Sequence, residues 1–208
     1  MIKNIIYFIG SVFLFFACMI AYGIILNARE SNLSQILIEK GKNNIVNPRI
    51  LIEKSRNSLL LYDSDDLIKS YKASLGNRPY NQKLTDVRPF TPIGKYKICS
   101  IDSISKYHKM FRINYPNEHD AADAVKNGLI SKSEYNGIVN ENLKYGCTVS
   151  ENYFGSELGI HGIGEYDFIF RNLPFVFNWT NGSIALSNKS IDELYSYIKI
   201  GTPVEIIE

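Results

Sequence analysis

Among 208 residues there are three cysteines, three histidines and one tryptophan, and each scarcity removes a class of function. Cys18, Cys99 and Cys147 have no metal-type spacing, so neither a metal nor another cofactor is expected. Cys99 and Cys147 are free to pair if the compartment is oxidising, a point the sequence leaves open. Charge of one sign is also lacking: 23 basic against 21 acidic residues leave a net charge of +2. That balance gives no electrostatic footprint for nucleic acid, and no DNA or RNA partner is expected. No low-complexity tract and no internal repeat is visible. The Gly-x-Ser-x-Gly flanking of a general serine hydrolase is missing as well.

What is present suffices for one sizeable core with one short appendage, since 45% of the residues are hydrophobic. Tyrosine and phenylalanine are plentiful, which suits a β-rich core first and a sugar- or peptide-binding groove second. From Ile5 to Leu26 the chain is almost wholly apolar and uncharged, long enough to cross a bilayer as a helix. Lys3 precedes the run and Arg29-Glu30 follow it. A cleavable signal peptide is the competing reading, with Ala21, Gly23 and Ala28 as small residues, but the run exceeds a usual signal core. Charge does not settle orientation, because Lys3 on one flank faces Arg29, Lys40 and Lys42 on the other. The expected division is 1–28 as anchor, 29–47 as juxtamembrane helix or linker, and 48–208 as the functional domain.

Leu33, Ile36, Leu37 and Lys40 recur at helical spacing, and Gly41 supplies a stop. Arg49 to Lys54, Leu59 to Tyr62 and Leu67 to Leu75 read as short strands joined by tight turns, an antiparallel meander. A long loop from Asn77 to Ile93 carries Arg78-Pro79, Arg88-Pro89 and Thr91-Pro92; such loops often shape a site, and the prolines also serve to stiffen it. Lys95 to Ile104 is expected as a strand, and Glu118 to Lys126 as a helix with Gly128 past its end. Ser131 to Glu134 has the capping-box pattern of a second short helix. Asn136 to Ser156, poor in apolar residues in register, is expected to form a cover over a cleft. Asn188 to Ile198 places Ile191, Leu194, Tyr195 and Ile198 on one helical face, with Asn188 or Ser190 as cap, and Thr202 to Ile207 closes as a strand.

Between these elements, Leu158 to Leu186 holds a nucleophile, a base and an oxyanion site in one short segment. Gly159-Ile160-His161-Gly162 suits an imidazole at a strand end beside closely approaching backbone. Thr180-Asn181-Gly182-Ser183-Ile184 places a hydroxyl after a glycine, where turn N–H groups are free to receive an oxyanion. Taken singly, a packed histidine and an ordinary Gly-Ser turn explain both stretches equally well.

Together they resemble the L,D-transpeptidase (YkuD) family, whose signature is His-Gly, a spacer, then Ser/Thr-x-Gly-Cys and an apolar residue. Thr180 to Ile184 fits each fixed position but one: Ser183 stands where the family carries its catalytic cysteine. Trp179, Ile184-Ala185-Leu186 and Gly201-Thr202-Pro203-Val204 also resemble the family, as do Asp86, Arg88, Thr91, Pro92, Gly94 and Tyr96 with one extra residue in the interval. The resemblance implies a mainly β fold, a YkuD-like sandwich or barrel with a few short helices, preceded by one transmembrane helix. It also implies acyl transfer on the peptidoglycan stem tetrapeptide at the outer face of a bacterial membrane, on the periplasmic side, giving crosslinking, lipoprotein attachment or hydrolysis.

Carried over by position, His161 becomes general base and acid, Ser183 the attacker, and Gly162 and Gly182 the orienting and oxyanion positions. His108, Arg88, Trp179 and Thr180 are candidates for contacting substrate, although His108 also suits an exposed or structural role. A hydroxyl, unlike a partly ionised thiol, loses its proton only during attack and needs a well-oriented imidazole with a third partner. No aspartate is recognisable in that role. Reduced acyl transfer is therefore expected, and a non-catalytic peptidoglycan-binding protein that keeps the groove is the alternative. A natural serine form, a pseudoenzyme and an engineered replacement all give this sequence.

Overall fold

The computed structural model describes residues 2–76, 90–150, 152–154, 158–173 and 175–208. Helix α1, Ile2–Ala28, is one unbroken apolar rod whose side chains are almost all exposed, by length and composition a candidate membrane span. A short turn separates it from α2, Leu33–Glu39, which opens with a capping box between Asn32 and Gln35. Leu33 and Leu37 are buried in the main core, so the segment expected as a juxtamembrane helix or linker is helical and also contributes to the packing of the domain.

The domain is an eight-stranded sheet in the order β3-β2-β1-β8-β4-β5-β6-β7. Its strands are β1, Pro48–Glu53; β2, Ser58–Asp63; β3, Asp66–Lys72; β4, Gly94–Ser105; β5, His108–Ile113; β6, Gly159–Gly162; β7, Ile184–Leu186; and β8, Pro203–Ile207. The expected meander forms as β1 to β3, with Ile50, Ile52, Leu59 and Leu61 pointing inward at alternate positions and fully buried. β8 inserts parallel to β1 and antiparallel to the first half of β4. β4 bends at a register shift between Ile98 and Ser100, so that its second half pairs with β5 instead.

Beyond the end of β3 the two edges of the sheet meet. Ser74 and Ala185 exchange both backbone hydrogen bonds at 2.8 Å, and Gly76 bridges Thr180. The sheet is thus a nearly closed barrel, and both of its free edges are occupied where the candidate site begins. Ile98, Phe111, Ile160, Ile184 and Leu186 fill the interior, with Ile191 and Leu194 entering from α6, Asn188–Tyr195. The α6 cap is Ser187, whose hydroxyl accepts from the Ser190 N–H, rather than Asn188 or Ser190. Asn188 is displaced from that role because its side chain is engaged by a neighbouring turn.

Two helices, α3, Glu118–Lys126, and α4, Lys132–Tyr145, pack on each other beside the barrel. The stretch from Asn136 expected as a cover is therefore helical as far as Tyr145. The helix expected to open at Ser131 forms but runs further than expected, because α4 buries only Ile138 and carries no apolar stripe to mark its length. Cys99 on β4 and Cys147, just past α4, form a disulfide with their α-carbons 5.5 Å apart. It closes a loop with a sequence separation of 48 and ties the helical pair to the barrel. Reduction is expected to lower stability by about 2–4 kcal/mol, a drop of roughly 5–15 °C in midpoint. Thermal denaturation of the full chain with and without reductant checks this; an unchanged midpoint contradicts it.

Candidate functional site

His161 occupies the third position of β6, and its burial follows from what flanks it. Glycines are required on both sides: a β-carbon at Gly159 would stand 2.5 Å from the Phe111 carbonyl oxygen, and one at Gly162 would stand 2.6 Å from Asn188 Oδ1. The imidazole is only 4% exposed. The Tyr107 ring lies against it at a centroid distance of 4.6 Å, and Trp179 meets it edge-on at 6.2 Å. His161 Nδ1 lies 2.7 Å from the Gly162 carbonyl oxygen. A carbonyl only accepts, so the proton resides on Nδ1 and Nε2 carries the free lone pair. The third partner for which no aspartate was recognisable in the sequence is, in this geometry, main chain.

Ser183 sits one residue before β7. β6 and β7 run parallel with His161 opposite Ala185, so Ser183, two residues earlier, lies on the same sheet face as the imidazole, one step along the diagonal. The hydroxyl is half-buried and accepts a 3.3 Å hydrogen bond from the Gly159 N–H. Among the described residues no hydrogen bond joins it directly to His161.

The turn before Ser183 is held from within. Thr180 Oγ1 donates to the Ser183 carbonyl at 2.5 Å, closing Thr180 to Ser183 into a tight loop. Gly182 takes φ +103°, and a β-carbon there would lie 2.6 Å from the Phe90 carbonyl oxygen, so this position admits only glycine without rearrangement. The N–H groups of Gly182 and Ser183 have no backbone acceptor among the described residues, which leaves them available to an anionic oxygen.

The other candidates are distributed unevenly. Trp179 and Thr180 belong to the cluster, and the buried Trp179 Nε1 has no hydrogen-bond partner among the described residues. His108 opens β5 with φ +76°, close to Gly162 in its backbone, but its imidazole turns to Asp192 on α6, with Nε2 to Oδ1 at 2.8 Å. Partial burial raises the Asp192 pKa, but hydrogen bonds from Lys109 and His108 outweigh it and hold the carboxyl below its ordinary value. Arg88 lies outside the described residues.

Several residues support the site in ways the sequence did not indicate. Asn188 holds Gly164 at both backbone groups, at 2.9 Å each, and so fixes the exit from β6. Asn178 Oδ1 accepts from Leu75 N at 2.9 Å and from Asn57, anchoring the approach to Trp179 on the end of β3. Thr91, fully buried, accepts from Gly76 N at 3.0 Å. A cavity of about 330 Å³ lies nearby, between the end of α1, β3, α6 and residues 168–177; neither His161 nor Ser183 lines it.

Fold and site together define a nearly closed β-barrel with an imidazole and a hydroxyl on one sheet face and a glycine turn beneath the hydroxyl, a set suited to acyl transfer. The chain belongs to the L,D-transpeptidase catalytic domain family, YkuD, whose model matches residues 47–206. No curated protein matches it. Similar solved structures include Bd1075 of Bdellovibrio bacteriovorus, 20% identical with a TM-score of 0.49, over 78% of this chain and 48% of that one. An L,D-transpeptidase of Xylanimonas cellulosilytica is 14% identical with a TM-score of 0.44, over 85% and 70%. L,D-transpeptidase 1 of Mycobacterium tuberculosis is 14% identical with a TM-score of 0.42, over 78% and 62%. The chain thus aligns with about half the length of the Bdellovibrio protein.

Burial lowers the His161 pKa below its usual value, and the carbonyl of Gly162 opposes that only in part. The folded-state value is depressed, so His161 supports stability fully above its unfolded value of about 6.5, and that support is lost as pH falls through the folded-state value. NMR titration of the imidazole is expected to give a midpoint below the free value, and His161→Gln is expected to flatten the acid limb of the stability profile. A midpoint at or above the free value contradicts this environment.

Proposed function

We propose that the protein binds peptidoglycan stem peptides outside the cytoplasm and acts on them by slow acyl transfer, with Ser183 as attacker and His161 as base. The observation that carries this reading is the placement of both groups on one face of adjacent parallel strands, with the His161 Nδ1 proton tied to the Gly162 carbonyl. Membership of the L,D-transpeptidase family supports the substrate class. The apolar α1 and the Cys99–Cys147 disulfide support an envelope location, anchored in the membrane with the domain on its outer side.

In this mechanism the Ser183 hydroxyl attacks the carbonyl joining the third and fourth stem residues while its proton passes to His161 Nε2. The N–H groups near Gly182 and Ser183 receive the oxyanion, which makes Gly182 the position that lets this turn form. Collapse expels the terminal D-amino acid, whose nitrogen takes the proton from the imidazolium, and leaves an ester on Ser183. An amine or water then attacks the ester, with His161 again as base. Trp179 and Thr180 border the acyl donor, and His108 and Arg88 are assigned to the approach of the substrates.

A hydroxyl starts this sequence at a disadvantage relative to a thiol. Replacing the strong nucleophile of a tuned site costs about 3–5 kcal/mol of transition-state stabilisation, roughly 10²- to 10⁴-fold in rate. A second reading, a stem-peptide binder without turnover, is favoured by the 4% exposure of His161 under Tyr107 and Trp179. Incubation with purified tetrapeptide stems, followed by mass spectrometry, separates the two. Slow loss of the terminal D-alanine or a new crosslink, accelerated about 10²-fold or more in Ser183→Cys, is the expected outcome. Unchanged stems with measurable binding favour the binder, and no turnover in Ser183→Cys overturns the assignment of the site.

A further inference from the structure

The segment joining His161 to Ser183 has a feature that the acyl-transfer reading does not use. After a single 3₁₀ turn at Gly164–Tyr166 comes α5, Asp167–Arg171, and then a loop to Trp179. Tyr166, Phe168, Ile169, Phe175 and Phe177 are all about half to two-thirds exposed. Elsewhere in the domain, exposed large apolar residues such as Leu67 and Ile104 stand singly, and Leu143 has only Tyr145 and Val149 near it along the chain. A dense exposed aromatic patch of this kind marks a surface that something covers.

The end of α1 indicates what covers it. A β-carbon on Gly23 would lie 1.7 Å from the Asn172 carbonyl oxygen, so α5 and α1 touch backbone to backbone at that glycine. Asn27 Nδ2 donates to the Arg171 carbonyl and to Asn172 Oδ1, at 2.8 Å each. Lys69 on β3 donates to the Ser31 carbonyl at 2.9 Å and lies 3.4 Å from Glu30, holding the end of the anchor from a second side. The domain and the last turns of α1 are therefore in fixed relation.

Gly23 lies inside the apolar run that ends at Leu26, six residues before Arg29, which is roughly 9 Å along a helix axis. A helix of 27 residues is about 40 Å long against a hydrocarbon core of about 30 Å. Once α1 spans a bilayer, Asn172 stands level with the last apolar turns of the helix, not with the charges beyond them. The carbonyls of Phe168, Ile169 and Phe170 are already paired at that depth: Asn172 N donates to Ile169 O, Leu173 N to Phe170 O, and Asn172 Nδ2 to Phe168 O.

We propose that Tyr166 to Phe177 is a second membrane contact, in which these aromatic side chains lie in the phospholipid interface beside the exit of α1. The chain between His161 and Ser183 then rests on the bilayer, and the candidate site works at the membrane surface. The inference rests on α1 being a retained span, and it does not require turnover at Ser183.

Spin-label accessibility of the full chain in phosphatidylcholine–phosphatidylglycerol vesicles tests it. Labels are placed at Phe168→Cys, Phe175→Cys and Leu143→Cys in a Cys18→Ser background, and at native Cys18 as a control within α1. Both phenylalanines and Leu143 are more than half exposed, so these substitutions leave the core intact. The ratio of oxygen to nickel-chelate collisions at 168 and 175 is expected to exceed that at 143 by about threefold or more, approaching that of Cys18. Nickel access at 168 and 175 equal to that at 143, with Cys18 protected, overturns the contact while the anchor stands. Exclusion of both reagents at 168 and 175 identifies a protein cover and also overturns it. A water-exposed Cys18 removes the anchor itself, and the proposal with it.

Discussion

The parallel pairing of β6 with β7 is the constraint on which the rest depends. β6 has four residues and β7 three, and neither is stable as an isolated strand. Their register is held because Ile160 and Ile184, both fully buried, point into the barrel at matching positions. A slip of one residue in β7 would turn Ile184 outward and carry Ser183 to the face opposite His161. The Ser74–Ala185 hydrogen-bond pair then locks β7 from its other edge. The relation between imidazole and hydroxyl is thus a consequence of hydrophobic burial and barrel closure, not of any direct bond between the two groups.

The surroundings of the site follow from the same closure. Gly159 and Gly162 admit the backbones of Phe111 and Tyr107, which brings the Tyr107 ring onto the imidazole and removes it from water. That burial disfavours the imidazolium in the resting state and keeps Nε2 available as a base. Asn188 and Asn178 act at the two ends of the intervening segment, one clamping Gly164 and the other binding Leu75 and Asn57. Between these clamps lies the part of the chain that touches α1, so α1 and the candidate site share one loop.

Much of this was legible in the sequence where the cause is local. Alternating apolar residues in 49–62 define the meander, Ser131 caps its helix, and the glycines beside His161 and before Ser183 stand where backbone crowding demands them. What sequence could not supply was set by tertiary pairing. Tyr107 reaches His161 only through the β4–β5 hairpin, and Asn178 reaches Asn57 across more than a hundred residues. The start of α4 was legible at Ser131 but its length was not, because a helix lying on the surface with one buried residue leaves no periodic trace. Ser187 caps α6, not Asn188 or Ser190, because Asn188 is engaged by Gly164, 24 residues earlier in the chain, a pairing its sequence neighbours do not indicate.

Alkylation of an engineered thiol measures the central spatial claim without requiring substrate. In a Cys18→Ser background with the disulfide intact, Ser183→Cys presents one reactive thiol, and its rate of reaction with iodoacetamide at neutral pH is read by intact mass. With His161 in place as a base beside it, the rate is expected to exceed that of the matching His161→Gln protein by about tenfold or more. Equal rates in the two proteins would mean that the imidazole does not act on position 183, contradicting the account.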